Sequence, residues 1–414
     1  MPAAAIPPIF LHRLYQPDVS IGPLDVYGAD VAVWAVVAAA VAAGIRFGWA
    51  PLAPARTLWL LTGALLALFA ASCFWTPLDD TVRHLISAAK IAEYALLAPA
   101  LVLLLRTRAQ LDRFLAAFVA WAVAAAGWGV LQFLGVVSEF EGKRPGQREV
   151  SFLGIHDFAA FSGAALVVGL AGIALRERPR LAPVAVVAGS IGVVLAASLF
   201  AYAGVVLAAA GALYMGRRAG TITARRVLAL SAVLVTVLAG VLALRTYDVT
   251  DFLSFLGGRA TTTSSEEVQS GTHRALLAYI GIRIWRDHPV LGAGFGRSID
   301  RYEPYLDDAR RRFPDSSPES FPSPENRWGV QNYWVQLLAD VGVVGFVLGL
   351  AVFGTALALA LRAPPAALAT GAIAAGWILV AAGTWHGVGI VAGLPLQALT
   401  FLGFGLAATV TTVR

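Results

Sequence analysis

The chain has 414 residues, 58% of them hydrophobic and only 14% charged, with a mean hydropathy of +0.73. Soluble domains carry roughly 25% charged residues, so this composition excludes an ordinary soluble protein and points to an integral membrane protein. The single cysteine, Cys73, lies in an apolar run, which excludes a disulfide framework and a cysteine metal site; the net charge of +6 reports orientation and lipid contact before it reports nucleic acid, which is not an expected partner.

Residues 1–28 lack the basic start and apolar core of a cleavable signal peptide, and Pro2, Pro7, Pro8, Pro17 and Pro23 break them too often for a spanning helix. An interfacial or re-entrant piece is expected there. A spanning helix needs about 20 mostly apolar residues. About eleven such stretches follow, at 31–48, 57–75, 84–105, 111–137, 155–175, 182–199, 202–215, 227–244, 333–361, 366–385 and 390–411. The sixth and seventh meet so closely at Phe200 and Ala201 that they form a hairpin. The expected fold is therefore all-α and polytopic. It divides into an N-terminal segment (1–28), eight spans (29–244), a long loop (245–332) and three further spans (333–414).

Arginines concentrate at alternate span ends: Arg106, Arg108 and Arg113; Arg176, Arg178 and Arg180; Arg217, Arg218, Arg225 and Arg226; Arg362; and Arg414. Positive residues in short loops stay on the cytoplasmic side. The N-terminus and the long loop are then outside, and the C-terminus inside.

Within the third span, Lys90 and Glu93 stand three residues apart and share a helix face. Ionisable groups at membrane depth are costly and mark either substrate contacts or a structural ion pair that keys the bundle. His156 and Asp157 open the fifth span, where they either bind substrate or finish a helix terminus. No repeat of broken helices accompanies these groups, as a transporter would show. His386 sits at an outer span end, and the tryptophans read mostly as interface anchors.

The long loop holds twelve of the chain's 25 acidic residues. A flexible stretch, "GGRATTTSSEEVQSG", leads to an amphipathic helix over about 272–287. At 100° per residue, Arg274, Leu277, Ala278, Gly281 and Trp285 share one side, while Arg283 points the opposite way. The bland expectation is an interfacial helix with Arg283 and Arg286 facing water or headgroups. His288 and Pro289 stop the helix, and Gly292, Gly294 and Gly296 permit a sharp turn. No strand–turn–helix pattern surrounds "GAGFG", which excludes a dinucleotide site.

"HRALLAYIGIRIWRDHPVLGAGFG", followed by "QNYWVQLLADVGVVGFVLG", resembles the O-antigen ligase and O-antigen polymerase superfamily. The likeness is specific over about 274–350 and elsewhere is one of many-span topology. It implies an inverting, metal-independent glycosyltransferase in a bacterial cytoplasmic membrane, with its site facing outside and no cofactor. The implied partners are a polyprenyl-diphosphate-linked glycan, a glycan or lipid acceptor, and membrane lipids. Arg274 then contacts the diphosphate, which suits a guanidinium's fixed charge and bidentate donors. Gln331 and Asn332 flank the acceptor. Arg297, Arg301 and Arg327 are further phosphate or glycan contacts, with His273, His156, Lys90 and Glu93 as additional substrate-binding candidates.

The chain departs from the family pattern twice. Gln331 stands where the family has a histidine, the base for the acceptor hydroxyl. The hairpin "AASLFAYAG" keeps Ser198 but lacks the arginine expected beside it. Either His273, His156, Asp300 or Glu303 takes over, or the chain is a non-catalytic lipid-linked glycan binder or transporter on the same scaffold.

Overall fold

A computed structural model describes residues 1–75, 81–138, 140, 145–246, 271–390 and 393–412. Among these, nine helical segments are long and apolar enough to cross a membrane. They are Gly28–Phe47, Ala50–Ser72, Thr81–Leu104, Arg108–Phe133, Ile155–Leu175, Leu199–Arg218, Ala224–Leu244, Tyr333–Leu361 and Pro365–Gly387. Leu181–Ala196 and Pro395–Thr409 are shorter apolar helices. The flexible stretch 257–271 falls, apart from Gly271, outside the described residues, as does Arg414.

In chain order the helices are α1 (Pro2–Ile9), α2 (Gly28–Phe47), α3 (Arg56–Ser72), α4 (Thr81–Ala95), α5 (Leu97–Leu104), α6 (Arg108–Phe133), α7 (Ile155–Leu175), α8 (Leu181–Ala196), α9 (Leu199–Arg218) and α10 (Ala224–Leu244). They continue as α11 (Gly271–Asp287), α12 (Leu306–Arg312), α13 (Tyr333–Leu361), α14 (Leu368–Thr384) and α15 (Leu394–Thr409). A short antiparallel hairpin, β1 (Asp18–Ile21) and β2 (Leu24–Tyr27), precedes α2.

Helix α7 is the centre of the bundle, with nearly every side chain buried, and packs on α8, α9 and α14. Capping fixes where spans begin. Thr107 and Gln110 exchange side-chain-to-amide bonds at the start of α6 (3.3 and 3.0 Å). Ser198 Oγ accepts from the Ala201 amide at 3.3 Å and opens α9. The connection between α8 and α9 is thus Ala197–Ser198, slightly earlier than the sequence suggests, with Ala197 in the left-handed region (φ 47°).

The start of the N-terminal segment is built into the fold. Ile6, Ile9 and Phe10 are buried against α2 and α6. Helix α11 also corrects the expectation of an interfacial helix. Leu276, Leu277, Ile280 and Ile284 are buried, α11 packs along α13, and with Tyr302, Phe313 and Phe321 they form a second apolar core outside the bundle.

The feature that joins the two cores is a break in α13. Gly342 has φ 66° and ψ −166°, inside an otherwise helical run. It lies nine residues into the helix, about 14 Å along the axis. The segment after α11 docks into the break. The Ala293 and Gly294 amides donate to the Ala339 and Asp340 carbonyls, both at 2.8 Å. The Val343 and Val344 amides donate back to the Pro289 and Val290 carbonyls at 2.9 and 3.2 Å. Non-helical backbone at membrane depth is tolerated only where protein satisfies it, which this pairing does. The fully buried Asp340 carboxylate accepts from the amides of Gly296 (3.1 Å) and Ser298 (3.0 Å) and from Gln336 Nε2 (3.0 Å). Gly292 and Gly342 both have positive φ, and a Cβ at either would stand 2.2–2.3 Å from the facing backbone.

Gly342→Ala should therefore expel the docked segment, and Asp340→Ala should leave three buried donors unmatched at about 1–3 kcal/mol each. Both variants should melt well below wild type in detergent. Gly354→Ala, in the same helix with open space around it, should not. Equal melting of all three would show that the break carries no stability.

Candidate functional site

Helix α11 presents two unlike sides. On one, Tyr279 Oη donates to Asp308 at 2.6 Å and Arg283 Nε pairs with the same carboxylate at 3.0 Å. The Tyr279 hydroxyl and the Arg283 guanidinium hold Asp308 below the usual carboxylate range despite the partial desolvation that opposes them. Arg283 is thus tied to α12 rather than turned to water or headgroups, while Arg286 is exposed.

The other side faces the start of α13. Gly281 leaves room for Val330 and Val335, whose methyls stand 2.9 and 3.0 Å from where a Cβ would be. Arg274 lies two turns earlier on nearly the same stripe. A Cβ placed on Gly387 would be 3.8 Å from Arg274 Nε, 3.6 Å from His156 Cε1 and 3.8 Å from His156 Nδ1. Arg274 of α11 and His156 of α7 therefore meet across the backbone of Gly387, in the turn that follows α14. That turn continues under the start of α13. The Gly389 Cβ position is 3.0 Å from the Val330 carbonyl, and the Ile390 amide donates to Gln336 Oε1 at 2.7 Å. Gln331 follows Val330 directly and is half-buried. Asn332 is the N-cap of α13, its Oδ1 accepting from Trp334 and Val335 amides at 3.1 and 3.2 Å. Its carbonyl oxygen is thereby committed to the helix.

The α8–α9 hairpin flanks this turn, with Phe200 stacked on His386 at 5.6 Å between centroids. Two guanidinium groups reach the hairpin from elsewhere in the chain. Arg148 Nε donates to the Ala196 carbonyl at 3.2 Å, and Arg245 Nη1 donates to the Ala197 carbonyl at 3.3 Å. Beside them Glu149 is buried, and its amide donates to the Leu195 carbonyl at 2.9 Å. Sequence reasoning missed both arginines. The available signal was an arginine at the end of α10, Arg245, on the side opposite the arginine-rich short loops.

The remaining candidates are spread more widely. His273 is buried, with its ring edge-on to Trp328 at 5.2 Å. Burial pushes its pKa down to about 4, with the Arg274 charge adding to this and a bond to the Ser320 backbone opposing it. Arg297 is buried and donates to Thr81 Oγ1 at 3.1 Å. Arg301 is 3.4 Å from His288 Nε2. Asp300 gathers Arg83 (3.0 Å), His84 (3.4 Å) and Arg327 (3.9 Å). Desolvation raises the Asp300 pKa, but His84 and Arg83 outweigh it and leave the group below its ordinary value. Glu303 is exposed on a turn.

Lys90 pairs with Asp30 in the first turn of α2, and Glu93 Oε2 lies farther off at 3.9 Å. Asp30, missed in the sequence, is the main partner. Among the described residues, no group of His, Cys, Asp and Glu is placed to hold a metal ion.

Residues 184–350 match the family model described as O-antigen ligase. The matched part runs from within α8 to the middle of α13 and includes the hairpin, Arg245, Arg274, Gln331 and the helix break. A search of the curated proteins gives no match.

The depressed pKa of His273 fixes a sign. The unfolded chain takes up a proton near pH 6.5, the folded one only near 4, so this residue's contribution is complete above about 6.5 and is lost as pH falls towards 4. The full difference is on the order of 3 kcal/mol. His273→Gln should flatten the fall in melting temperature over that window. An unchanged pH slope would show that His273 does not titrate there.

Proposed function

We propose that this member of the O-antigen ligase superfamily transfers a glycan from a polyprenyl-diphosphate carrier to an acceptor hydroxyl at the outer face of the membrane. The observation that carries the proposal is the meeting of Arg274 and His156 across Gly387, one turn of chain away from Gln331. The superfamily relationship supports a membrane glycan ligase or polymerase in general. The donor lipid, the outer face and the residue roles are the proposal's own.

In this scheme Arg274 holds the diphosphate. Its charge is permanent and its donors match phosphate oxygens. Arg148 and Arg245 stand in for the arginine that the hairpin lacks and add positive charge on the diphosphate's far side. The acceptor oxygen attacks the anomeric carbon from the face opposite the diphosphate. The bond from that carbon to the diphosphate oxygen breaks, and its electron pair leaves with the diphosphate, so configuration inverts. The acceptor proton goes to His156. Gln331 orients the hydroxyl but accepts no proton. Three other candidates are poorer bases. His273 is depressed to about 4, Asp300 is engaged by Arg83 and His84, and Glu303 lies exposed on its turn. Alternating arginine loops support the outer location, because they set 271–332 opposite the basic faces.

Glutamine at position 331 favours a second reading, a lipid-linked glycan binder without turnover. One set of variants separates the two. Arg274→Ala should abolish donor-lipid binding and transfer together, whereas Arg283→Ala, which breaks only the contact to Asp308, should keep donor binding. His156→Gln should keep donor binding and lower transfer by about 10²–10⁴-fold. Donor binding that survives Arg274→Ala contradicts the phosphate role. Binding without turnover in the wild-type protein, across polymerase and ligase acceptors, would establish the binder.

A further inference from the structure

The β1–β2 hairpin has a use that glycan transfer does not explain. Its register pairs Val19 with Val26 and Ile21 with Leu24, and Asp18 with Tyr27 and Ser20 with Asp25. Side chains alternate across a strand and directly paired residues share a face. One face is therefore Val19, Ile21, Leu24 and Val26. The other is polar, with Ser20 Oγ donating to Asp25 Oδ1 at 2.7 Å. The β1 half of the apolar face is uncovered by this chain, with Val19 64% and Ile21 63% exposed, and Leu24 and Val26 beside them are half-buried. Leu14, in the turn just before the hairpin, is 66% exposed.

A two-stranded hairpin is marginal in water on its own. This one is fastened at its base to the first turn of α2. The Gly28 amide donates to the Pro17 carbonyl at 3.1 Å, the Ala29 amide to Gln16 Oε1 at 2.7 Å, and the Tyr27 amide to Asp30 Oδ2 at 2.7 Å. The other end of the segment is held where the His12 amide donates to the Phe152 carbonyl at 2.9 Å. The hairpin thus sits at the depth where α2 enters the bilayer. Within two turns of its base, Val31 and Trp34 of α2 are 62% and 54% exposed, and a tryptophan at such a position marks the headgroup level.

We infer that the β1–β2 hairpin is a membrane wedge, which lays Val19, Ile21, Leu24 and Val26 into the boundary between headgroups and acyl chains of the adjoining leaflet. The occupant of the apolar face is lipid, because that face adjoins the lipid-exposed start of α2. The polar face, with Asp18, Ser20 and Asp25, turns to water. The wedge holds the first turn of α2, and with it the Asp30–Lys90 pair, at a fixed depth. It is independent of the transfer reaction and of which leaflet α2 enters from.

The alternation supplies the test. Single cysteines at Val19, Ser20, Ile21 and Asp25, in a Cys73→Ser background, are labelled with an environment-sensitive fluorophore in vesicles of phosphatidylcholine and phosphatidylglycerol. Labels at 19 and 21 should emit to the blue and be quenched severalfold more by brominated lipid than labels at 20 and 25. Labels at 20 and 25 should be quenched severalfold more by aqueous iodide. Equal iodide quenching at all four positions overturns the wedge. So does shielding of 19 and 21 from both quenchers with disulfide crosslinking between copies through 19 or 21, which would assign the face to a second chain. Because labelling sites differ by one residue on a single strand, a misfolded variant shows up as a loss of alternation in company with a loss of thermal unfolding, and Val19→Thr and Ile21→Thr, which keep the strand, should reduce lipid quenching of a label at Leu24 in folded protein.

Discussion

The half of this molecule that carries α11 and the start of α13 depends on the Asp340 carboxylate. It is fully buried, and it is acceptable there because three donors converge on it: the Gly296 and Ser298 amides and the Gln336 side chain. Gln336 in turn accepts from the Ile390 amide. One acid and one amide therefore tie two pieces of irregular backbone to α13. These are the glycine segment after α11 and the turn that runs from Gly387 to Ile390. The position of Arg274 relative to His156 follows from that frame, since α11 is anchored by the segment that fills the break and Gly387 by the turn that Gln336 holds.

The arginines around this frame are engaged by the protein itself. Arg283 is used by Asp308, Arg327 and Arg83 by Asp300, and Arg297 by Thr81. They staple residues 271–332 together and to α4. Arg148 and Arg245 bond to the α8–α9 hairpin, and Arg274 lies beside the Gly387 turn that the hairpin flanks. A diphosphate is a compact double anion, and its leaving-group charge grows during transfer. In the proposed transfer, guanidinium groups held in advance by the fold would stabilise that charge without reorganising.

Much of this was legible in the sequence. Long apolar runs report spans directly, because a bilayer imposes a length, and the amphipathic stretch appears as α11 over almost the expected residues. The resemblance carried by residues from Arg274 onward agrees with the family match. Other features were closed to a one-dimensional reading. The Gly342 break looks apolar and helical in sequence, and only the docked segment reveals why the glycines are there. Arg148 and Arg245 reach the α8–α9 hairpin through space, not through spacing. Lys90 and Glu93 share a face as expected, but the partner that settles Lys90 is Asp30, sixty residues away in the chain. Asn332 shows the limit of motif reasoning, since the same side chain that flanks a proposed acceptor site also caps α13. The prolines of the N-terminal segment hid a hairpin too short to register as alternation.

The most direct measurement is a structure of the protein in a lipid nanodisc with a polyprenyl-diphosphate-linked glycan bound. The account predicts the diphosphate in the gap between the Arg274 guanidinium and the α8–α9 hairpin, with the anomeric carbon directed to His156 and Gln331. A diphosphate bound at the Arg283 and Arg286 side of α11, or away from the Gly387 turn altogether, would contradict it.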